Sequence, residues 1–122
     1  MILEVTADVF SGLPNPRWIL QGTEAERVTN WLAQLQPAAK GQKFLPPPDL
    51  GYRGFLIREK ESGSGEDWRS PFRVYGGLVA KRDQLLIDDS RSLEGWLLQS
   101  AGAQLDPQLR EEIIRQLASE NH

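Results

Sequence analysis

Residues 2–10 alternate imperfectly between polar and hydrophobic side chains. The hydrophobic members of this alternation are Leu3, Val5, Ala7 and Val9. A period of two predicts a strand with one buried face and one polar face. Residues 17–21 predict a second short strand, which we expect to pair back on the first as a wide hairpin.

A helical period replaces this alternation after Gly22. Thr23 and Glu26 have the spacing of a capping box, in which each side chain bonds a free backbone N–H of the first helical turn. Hydrophobic residues then recur at intervals of three and four positions, at Val28, Trp31, Leu32 and Leu35. They predict an amphipathic helix that packs on the sheet and ends before Pro37.

Three further strands are predicted between residues 52 and 88. They comprise residues 52–59, 72–81 and 84–88, and a tight turn at Arg82-Asp83 separates the last two. Inside the second of these strands, the Gly76-Gly77 pair indicates a β-bulge or a close approach of two backbones. The sequence thus predicts a three-stranded antiparallel meander as the main body of the sheet.

Two helices are predicted after the meander. Residues 89–92 offer several N-caps for the first of them, and Gly102 is placed to end it. Asp106-Pro107 combines an N-cap with a proline at the first helical position, which predicts the start of the last helix. We therefore expect one α+β domain over residues 1–122, with an antiparallel sheet of about four to five strands and two to three helices packed mainly on one face.

The segment between the first two strands is dense in turn-forming residues. Pro14 and Pro16 fix their own φ near −65° and push the preceding residues out of the α region, so the segment cannot be a helix. Gly12 tolerates a positive φ, and the Ser11 hydroxyl and the Asn15 amide can bond nearby backbone groups. The pattern predicts a stiff, hydrogen-bonded loop.

Two interpretations of this loop stay open. In the first, its polar side chains satisfy backbone groups and the loop only links two strands. In the second, the loop presents ordered polar groups beside aromatic rings and recognises another protein or a small polar ligand. The candidate binding residues are Asp8, Ser11, Asn15, Arg17, Trp18, Tyr52 and Arg53.

Residues 10–18 read Phe-Ser-Gly-Leu-Pro-Asn-Pro-Arg-Trp and fit the form FSGxPNPxW. This block resembles one in a group of small uncharacterised proteins from bacteria and some fungi. Residues 50–55, Leu-Gly-Tyr-Arg-Gly-Phe, are similar to a second block of the same group. The group has no assigned activity, so the resemblance implies a shared loop and assigns no catalytic or binding residue.

Composition restricts the classes of function. The chain has 122 residues and a net charge of −3, which argues against nucleic-acid binding because such binding depends on neutralising phosphates. The absence of cysteine excludes disulfides and thiolate metal sites. No apolar run approaches the ~20 residues of a membrane span, and the first residues lack the pattern of an export signal. We expect a cytoplasmic protein that does not bind a membrane.

Several other segments leave alternatives open. Residues 38–50 include three consecutive prolines and are either a surface connector or a presented polyproline ligand. Residues 61–67 have the composition of a linker and predict a mobile loop, after which an exposed Trp68 would indicate binding. The arginines at positions 53, 58, 69 and 73 either share one side of the sheet as a basic patch or face solvent separately.

The sequence contains no recognisable catalytic pattern. Its single histidine is the terminal His122, and no metal-binding or phosphate-binding motif occurs, so we expect no catalytic residue, metal or cofactor. A carboxylate pair of Asp8 with Glu59, Asp88 or Asp89 keeps hydrolysis open. The leading hypothesis is a non-catalytic interaction or accessory protein. The alternative is a small-ligand or carbohydrate-binding domain, with a carboxylate-based hydrolase as its catalytic form.

Overall fold

The chain folds as a run of strands that is interrupted by one helix and followed by two more. The computed structural model describes residues 2–10, 15–39, 51–60, 68–69, 71–81 and 84–119. The strands are β1 (Ile2–Phe10), β2 (Arg17–Gln21), β3 (Gly51–Lys60), β4 (Phe72–Tyr75), β5 (Leu78–Lys81) and β6 (Gln84–Ile87). The helices are α1 (Thr23–Gln34), α2 (Ser92–Ser100) and α3 (Pro107–Ser119), with 3₁₀ turns at Asp89–Arg91 and Gly102–Gln104. None of these described helices has the length and hydropathy that a bilayer crossing needs.

Several predicted features lie outside the described residues. They are the connector that contains the prolines at positions 46–48, the predicted mobile loop at residues 61–67, the predicted turn at Arg82-Asp83, and residues 11–14 of the loop between the first two strands. The two hypotheses for the proline-containing connector therefore stay open.

The six strands of the described residues form one antiparallel sheet, in the order β2-β1-β3-β4-β5-β6. The predicted hairpin of the first two strands is confirmed, with Val5 opposite Trp18. The α+β class and the antiparallel sheet are also confirmed. The predicted number of strands is too low, because residues 72–81 form two strands instead of one.

The Gly76-Gly77 pair accounts for the additional strand. Gly76 has a φ of 66° and Gly77 has a φ of 85°. Two consecutive residues with positive φ form a two-residue hairpin turn whose twist matches that of the flanking strands. Tyr75 at the end of β4 consequently lies opposite Leu78 at the start of β5. The prediction of a bulge in one long strand is wrong, because the chain reverses its direction at Gly76-Gly77. Glycine readily adopts a positive φ, and a positive φ occurs both in bulges and in hairpin turns.

The two sides of the sheet differ in their surroundings. The hydrophobic core includes Leu3, Val5, Trp18, Leu20, Val28, Phe55, Ile57, Val74, Val79, Leu93, Leu97 and Ile113. Since this core joins alternate strand residues to the helices, we call this side of the sheet the helix face. The opposite side over β1 to β4 is the open face, which carries Glu4, Thr6, Asp8, Arg17, Ile19, Arg53, Leu56, Arg58, Lys60 and Arg73.

The first helix has the predicted apolar stripe but a different start. Val28 is buried and Leu32 packs against the core, as the helical period predicted. The predicted capping box does not form, because Gly22 is the N-cap and no side chain bonds the cap. The carbonyl of Gly22 accepts the N–H of Glu26 at 3.0 Å, so the first turn closes without the Thr23 hydroxyl.

The other helix ends follow local signals. The third helix starts as predicted, with the Asp106 carboxylate accepting a backbone N–H at 3.2 Å. The second helix is capped by Asp88, one residue before the predicted caps, through the N–H groups of Leu93 at 2.8 Å and Glu94 at 3.0 Å. Gly102 follows the end of this helix with a φ of 52°, as expected for a C-terminal stop.

Strand β3 contains a bulge at Gly54. Ala7 lies opposite Phe55, yet Val9 lies opposite Tyr52, so β3 uses one residue more than β1 over this interval. Gly54 has a φ of 93°, which residues with a side chain rarely adopt. The bulge keeps Tyr52 on the helix face, where its ring is buried.

We expect Gly54→Ala to lower the free energy of unfolding by roughly 2–4 kcal/mol. The added Cβ would lie 2.6 Å from the carbonyl oxygen of Val74 and 2.7 Å from the Cβ of Tyr75. Gly95→Ala is the control, because a Cβ at this position in α2 meets no neighbour within 4 Å. This control should gain about 0.5–1 kcal/mol from the lower entropy of its unfolded state. Urea unfolding measures both effects, and an unchanged midpoint for Gly54→Ala would contradict the bulge.

Candidate functional site

The loop before β2 is tied to β1 through Asn15. Ala7 donates its N–H to the carbonyl of Pro16 at 3.0 Å, and the proline has no N–H to return. Beyond this pair, the N–H of Val9 donates to Oδ1 of Asn15 at 3.0 Å. The Asn15 amide therefore continues the β1–β2 ladder past Pro16, which is the structural role that the first interpretation of the loop assigned to it.

Asp8 lies at the centre of a polar cluster on the open face. Its carboxylate accepts hydrogen bonds from Nη1 of Arg73 at 2.8 Å and from Nδ2 of Asn15 at 3.4 Å. Nη1 of Arg53 lies 4.0 Å from the same carboxylate. These partners compensate the charge of a largely buried side chain, so Asp8 joins β1 to the loop before β2, to β3 and, across β3, to β4.

A shallow polar depression of about 400 Å³ lies next to this cluster. It is lined by Glu4, Thr6, Asn15, Arg17 and Arg58. Nε of Arg58 donates to Oε1 of Glu4 at 2.7 Å, and this hydrogen bond raises the pKa of the guanidinium. Arg17 is exposed and forms no ion pair with another described residue. Its guanidinium is therefore available to a ligand.

Trp68 lies against the cations of β3. The guanidinium carbon of Arg58 is 4.5 Å from the centre of the indole ring, and Nζ of Lys60 is 4.6 Å from it. Both distances lie within the range of a cation–π interaction. Since the half-buried ring already contacts two cations, Trp68 positions Arg58 and Lys60 and does not offer a bare aromatic surface.

The open face carries more positive than negative charge. Its described cations are Arg17, Arg53, Arg58, Lys60 and Arg73, and its described carboxylates are Glu4 and Asp8. The whole chain has a net charge of −3, so charge is distributed unevenly between this face and the rest of the surface. The arginines at positions 53, 58 and 73 thus share one side of the sheet, whereas Arg69 is exposed outside the strands. The alternative of a common basic side therefore holds for three of the four arginines.

Two of the candidate binding residues lie in the core. Trp18 is 7% exposed, and its indole N–H donates to Oγ of Ser100 at 3.0 Å. Tyr52 is 1% exposed, and its hydroxyl donates to Glu94. Neither ring reaches the open face, because strand alternation directs both side chains to the helix face. A third candidate, Ser11, lies outside the described residues.

The remaining candidates come together on the open face, together with residues that sequence reasoning missed. The candidates in place are Asp8, Asn15, Arg17 and Arg53. Glu4 and Thr6 were missed, whereas Arg58 and Arg73 were considered only as members of a basic patch and not as site residues. The sequence pattern could have indicated Glu4 and Thr6, because a period of two puts them on the same side of β1 as Asp8. Arg58 joins them only through the register that places it opposite Glu4, which no local pattern encodes.

A buried ion pair on the helix face joins α2 to the sheet. Arg91 donates from Nε to Oε1 of Glu94 at 2.8 Å and from Nη2 to Oε2 at 2.7 Å. Glu94 also accepts the Tyr52 hydroxyl and, at 3.2 Å, the N–H of Gly76. Burial and the adjacent Glu94 carboxylate raise the pKa of Tyr52 far above its ordinary value, so the phenol stays protonated. The cluster is structural, since its polar atoms bond one another.

The carboxylates considered as partners of Asp8 have other roles. Glu59 forms an ion pair with Lys81 at 3.2 Å, and Asp88 caps α2. Asp89 is exposed in the 3₁₀ turn before α2. Within the described ranges, no three His, Cys, Asp or Glu side chains are grouped so that they could hold a metal ion.

Comparisons with known proteins give no information on this site, so its interpretation depends on its geometry. No protein-family model, curated protein or solved structure matches the chain. The structure itself defines an α+β protein with a six-stranded antiparallel sheet. One face of that sheet is closed by helices, and the other presents cations at a polar depression.

Truncation of Asn15 tests its structural role. We expect Asn15→Ala to lower the free energy of unfolding by about 1–3 kcal/mol, because the N–H of Val9 loses its acceptor. Asn30→Ala is the matched control, since Asn30 is exposed on α1 and should show no loss. Urea unfolding compares the two variants, and equal midpoints would contradict the role of Asn15 in the ladder.

The titration of Asp88 predicts a dependence of stability on pH. Burial raises the pKa of Asp88 above 3.8, and hydrogen bonds from Leu93 and Glu94 offset only part of this effect. The folded chain therefore holds the proton more tightly than the unfolded chain. The contribution of Asp88 to stability is fully present below pH 3.8 and is lost as pH rises through the folded pKa.

We expect the stability of the parent, relative to Asp88→Asn, to fall as pH rises from 3.8. Subtracting the variant removes the contribution of other carboxylates that titrate in the same range. Urea unfolding at a series of pH values measures this difference. A difference that stays constant or grows with pH would show that the pKa of Asp88 is not raised by folding.

Proposed function

We propose that this protein is a non-catalytic interaction protein that recognises carboxylates of a partner protein through the open face. The proposal depends above all on Arg17, an exposed guanidinium at a polar depression with no ion-pair partner among the described residues. A guanidinium is suited to this role because its planar donors can bind both oxygens of a carboxylate.

The rest of the depression supports the same ligand chemistry. Glu4 partly neutralises the charge of Arg58, so Arg58 contributes less than Arg17 to binding an anionic ligand. The Thr6 hydroxyl adds a donor to the lining of the depression. The excess of cations on the open face would also attract an acidic partner from a distance, although salt would screen this attraction.

We further propose that residues 15–18, within the block at residues 10–18, are a scaffold for this surface. Asn15 fixes the chain before Arg17, and Trp18 fixes the chain after it through Ser100. Position 17 is one of the two positions that the form FSGxPNPxW leaves open. In the small bacterial and fungal proteins that the block resembles, a shared scaffold would then present different side chains to different partners.

A small polar ligand, such as a carbohydrate, is the second candidate. The depression of about 400 Å³ lies in the range of about 300–1,000 Å³ typical of small-molecule sites, and polar side chains line it. A hydrolase has less support, because Arg73 and Asn15 hold Asp8 and its expected partner Asp88 caps a helix. We propose the cytoplasm as the compartment, on the sequence argument alone.

Binding of a fluorescein-labelled hexaglutamate peptide, followed by fluorescence anisotropy, tests the proposed recognition of carboxylates. We expect Arg17→Glu to weaken binding by about tenfold or more, because it removes the free cation and adds repulsion. Arg27→Glu changes the net charge equally at an exposed position of α1 and should bind like the parent. Raising NaCl from about 20 mM to about 200 mM should weaken binding by the parent.

Two outcomes would reject this function. Equal binding by Arg17→Glu and Arg27→Glu would show that the open face does not recognise the peptide. Binding of a hexalysine peptide as strong as that of hexaglutamate would show that charge does not select the ligand.

A further inference from the structure

The two edges of the sheet differ in how they are covered. At β6, Ile87 donates its N–H to the carbonyl of Gln36, and Ala38 donates to the carbonyl of Leu85, both at 2.8 Å. At β2, no strand of the described residues pairs on the side away from β1. Strand β2 pairs with β1 in regular register and contains no proline and no central charge. Among the described residues, a charge occurs only at the first position of β2, Arg17, and Pro16 stands just before it, so the centre of the strand lacks the charges and prolines that often protect an edge strand from pairing.

The free edge presents the backbone groups of alternate residues. Since Ala7 bonds Pro16, the residues of β2 that bond β1 are Trp18 and Leu20. The N–H and C=O groups of Arg17, Ile19 and Gln21 consequently point away from β1. The side chain of Ile19, at the centre of this edge, is 48% exposed. An unpaired edge with an exposed isoleucine at its centre is suited to the addition of another strand.

We infer that a second copy of this chain occupies this edge, with the two β2 strands antiparallel about a two-fold axis at Ile19. Ile19 then lies opposite the partner's Ile19, and Arg17 lies opposite the partner's Gln21. Each of these pairs joins outward-facing backbone groups and exchanges two hydrogen bonds. Apolar side chains meet at the centre and no like charges face each other, so the edge is complementary to itself.

Other registers and other occupants fit less well. A register centred on Arg17 places it opposite the partner's Arg17, which is unfavourable because like charges face each other. A register centred on Trp18 or Leu20 moves Ile19 opposite a polar residue and loses one hydrogen-bonded pair. An acidic segment of another protein would complement Arg17 but would leave Ile19 opposite a charged residue.

The same pairing would extend the polar depression. Residues directly opposite each other on an antiparallel pair direct their side chains to the same face. The partner's Gln21 would therefore lie beside Arg17, which lines the depression. The dimer does not depend on the proposed recognition of carboxylates, because it is formed by backbone groups and Ile19.

Sedimentation equilibrium from about 1 µM to about 1 mM tests the dimer. We expect the parent to associate reversibly to a dimer and Ile19→Lys to remain a monomer, because two lysines would face each other. Ile114→Lys is the matched control, since Ile114 is 49% exposed on α3 and lies outside the proposed interface. A parent that stays monomeric throughout, or an Ile19→Lys variant that dimerises like the parent, would overturn the inference.

Cysteine substitution tests the register, because the chain has no cysteine of its own. Two copies of Ile19→Cys should form a disulfide on mild oxidation, since their Cα atoms would be about 5.5 Å apart. Two copies of Gln21→Cys should not, because these positions would lie roughly 13 Å apart along the strands. Equal cross-linking of both variants would reject the two-fold axis at Ile19. Loss of hexaglutamate binding in Ile19→Pro, which removes an outward-facing N–H of the edge, together with a monomeric parent would instead identify an acidic segment as the occupant.

Discussion

The fold depends on the hydrogen bonds that satisfy the buried carboxylate of Glu94. A carboxylate without solvent exposure is tolerated only when its charge and its oxygens are compensated inside the protein. Arg91, Tyr52 and the N–H of Gly76 provide this compensation from the 3₁₀ turn, from β3 and from the β4–β5 hairpin. Because these groups come from three parts of the chain, they position α2 against β3 and the β4–β5 hairpin. The ion pair also offsets the unfavourable φ of 55° at Ser90 and 54° at Arg91.

Closure of the helix face leaves the open face as the surface that we propose for recognition. Aromatic side chains that would suit a ligand, such as Trp18 and Tyr52, are used to attach strands to α2. On the opposite side, Asp8 bonds Arg73 of β4 across β3, and Glu4 pairs with Arg58. Arg17 is exposed beside these bonded side chains. The contacts that stabilise the sheet therefore also hold the backbone of Arg17 in place. In the function that we propose, stability and recognition therefore use different side chains of the same strands.

Signals between neighbouring residues predicted the elements, whereas contacts between distant residues were not accessible from sequence. The alternation along β1 and the cap at Asp106 are local, and both were predicted. The Gly76-Gly77 pair was ambiguous, because a bulge and a tight turn both require positive φ. Tyr52 was placed on the surface because an aromatic residue suits an interface as well as a core. The partial neutralisation of Arg58 depends on strand register, which is set by the whole sheet.

We assign stability to the helix face and recognition to the open face, and one NMR measurement tests this assignment directly. Backbone amide shifts of ¹⁵N-labelled protein are followed while unlabelled hexaglutamate is added. We expect the amide shifts to change around Thr6, Arg17 and Arg58 and to stay unchanged in α2 and α3. Changes centred on the helices, or in the depression between α1 and β6 that Leu32 and Leu86 line, would contradict it.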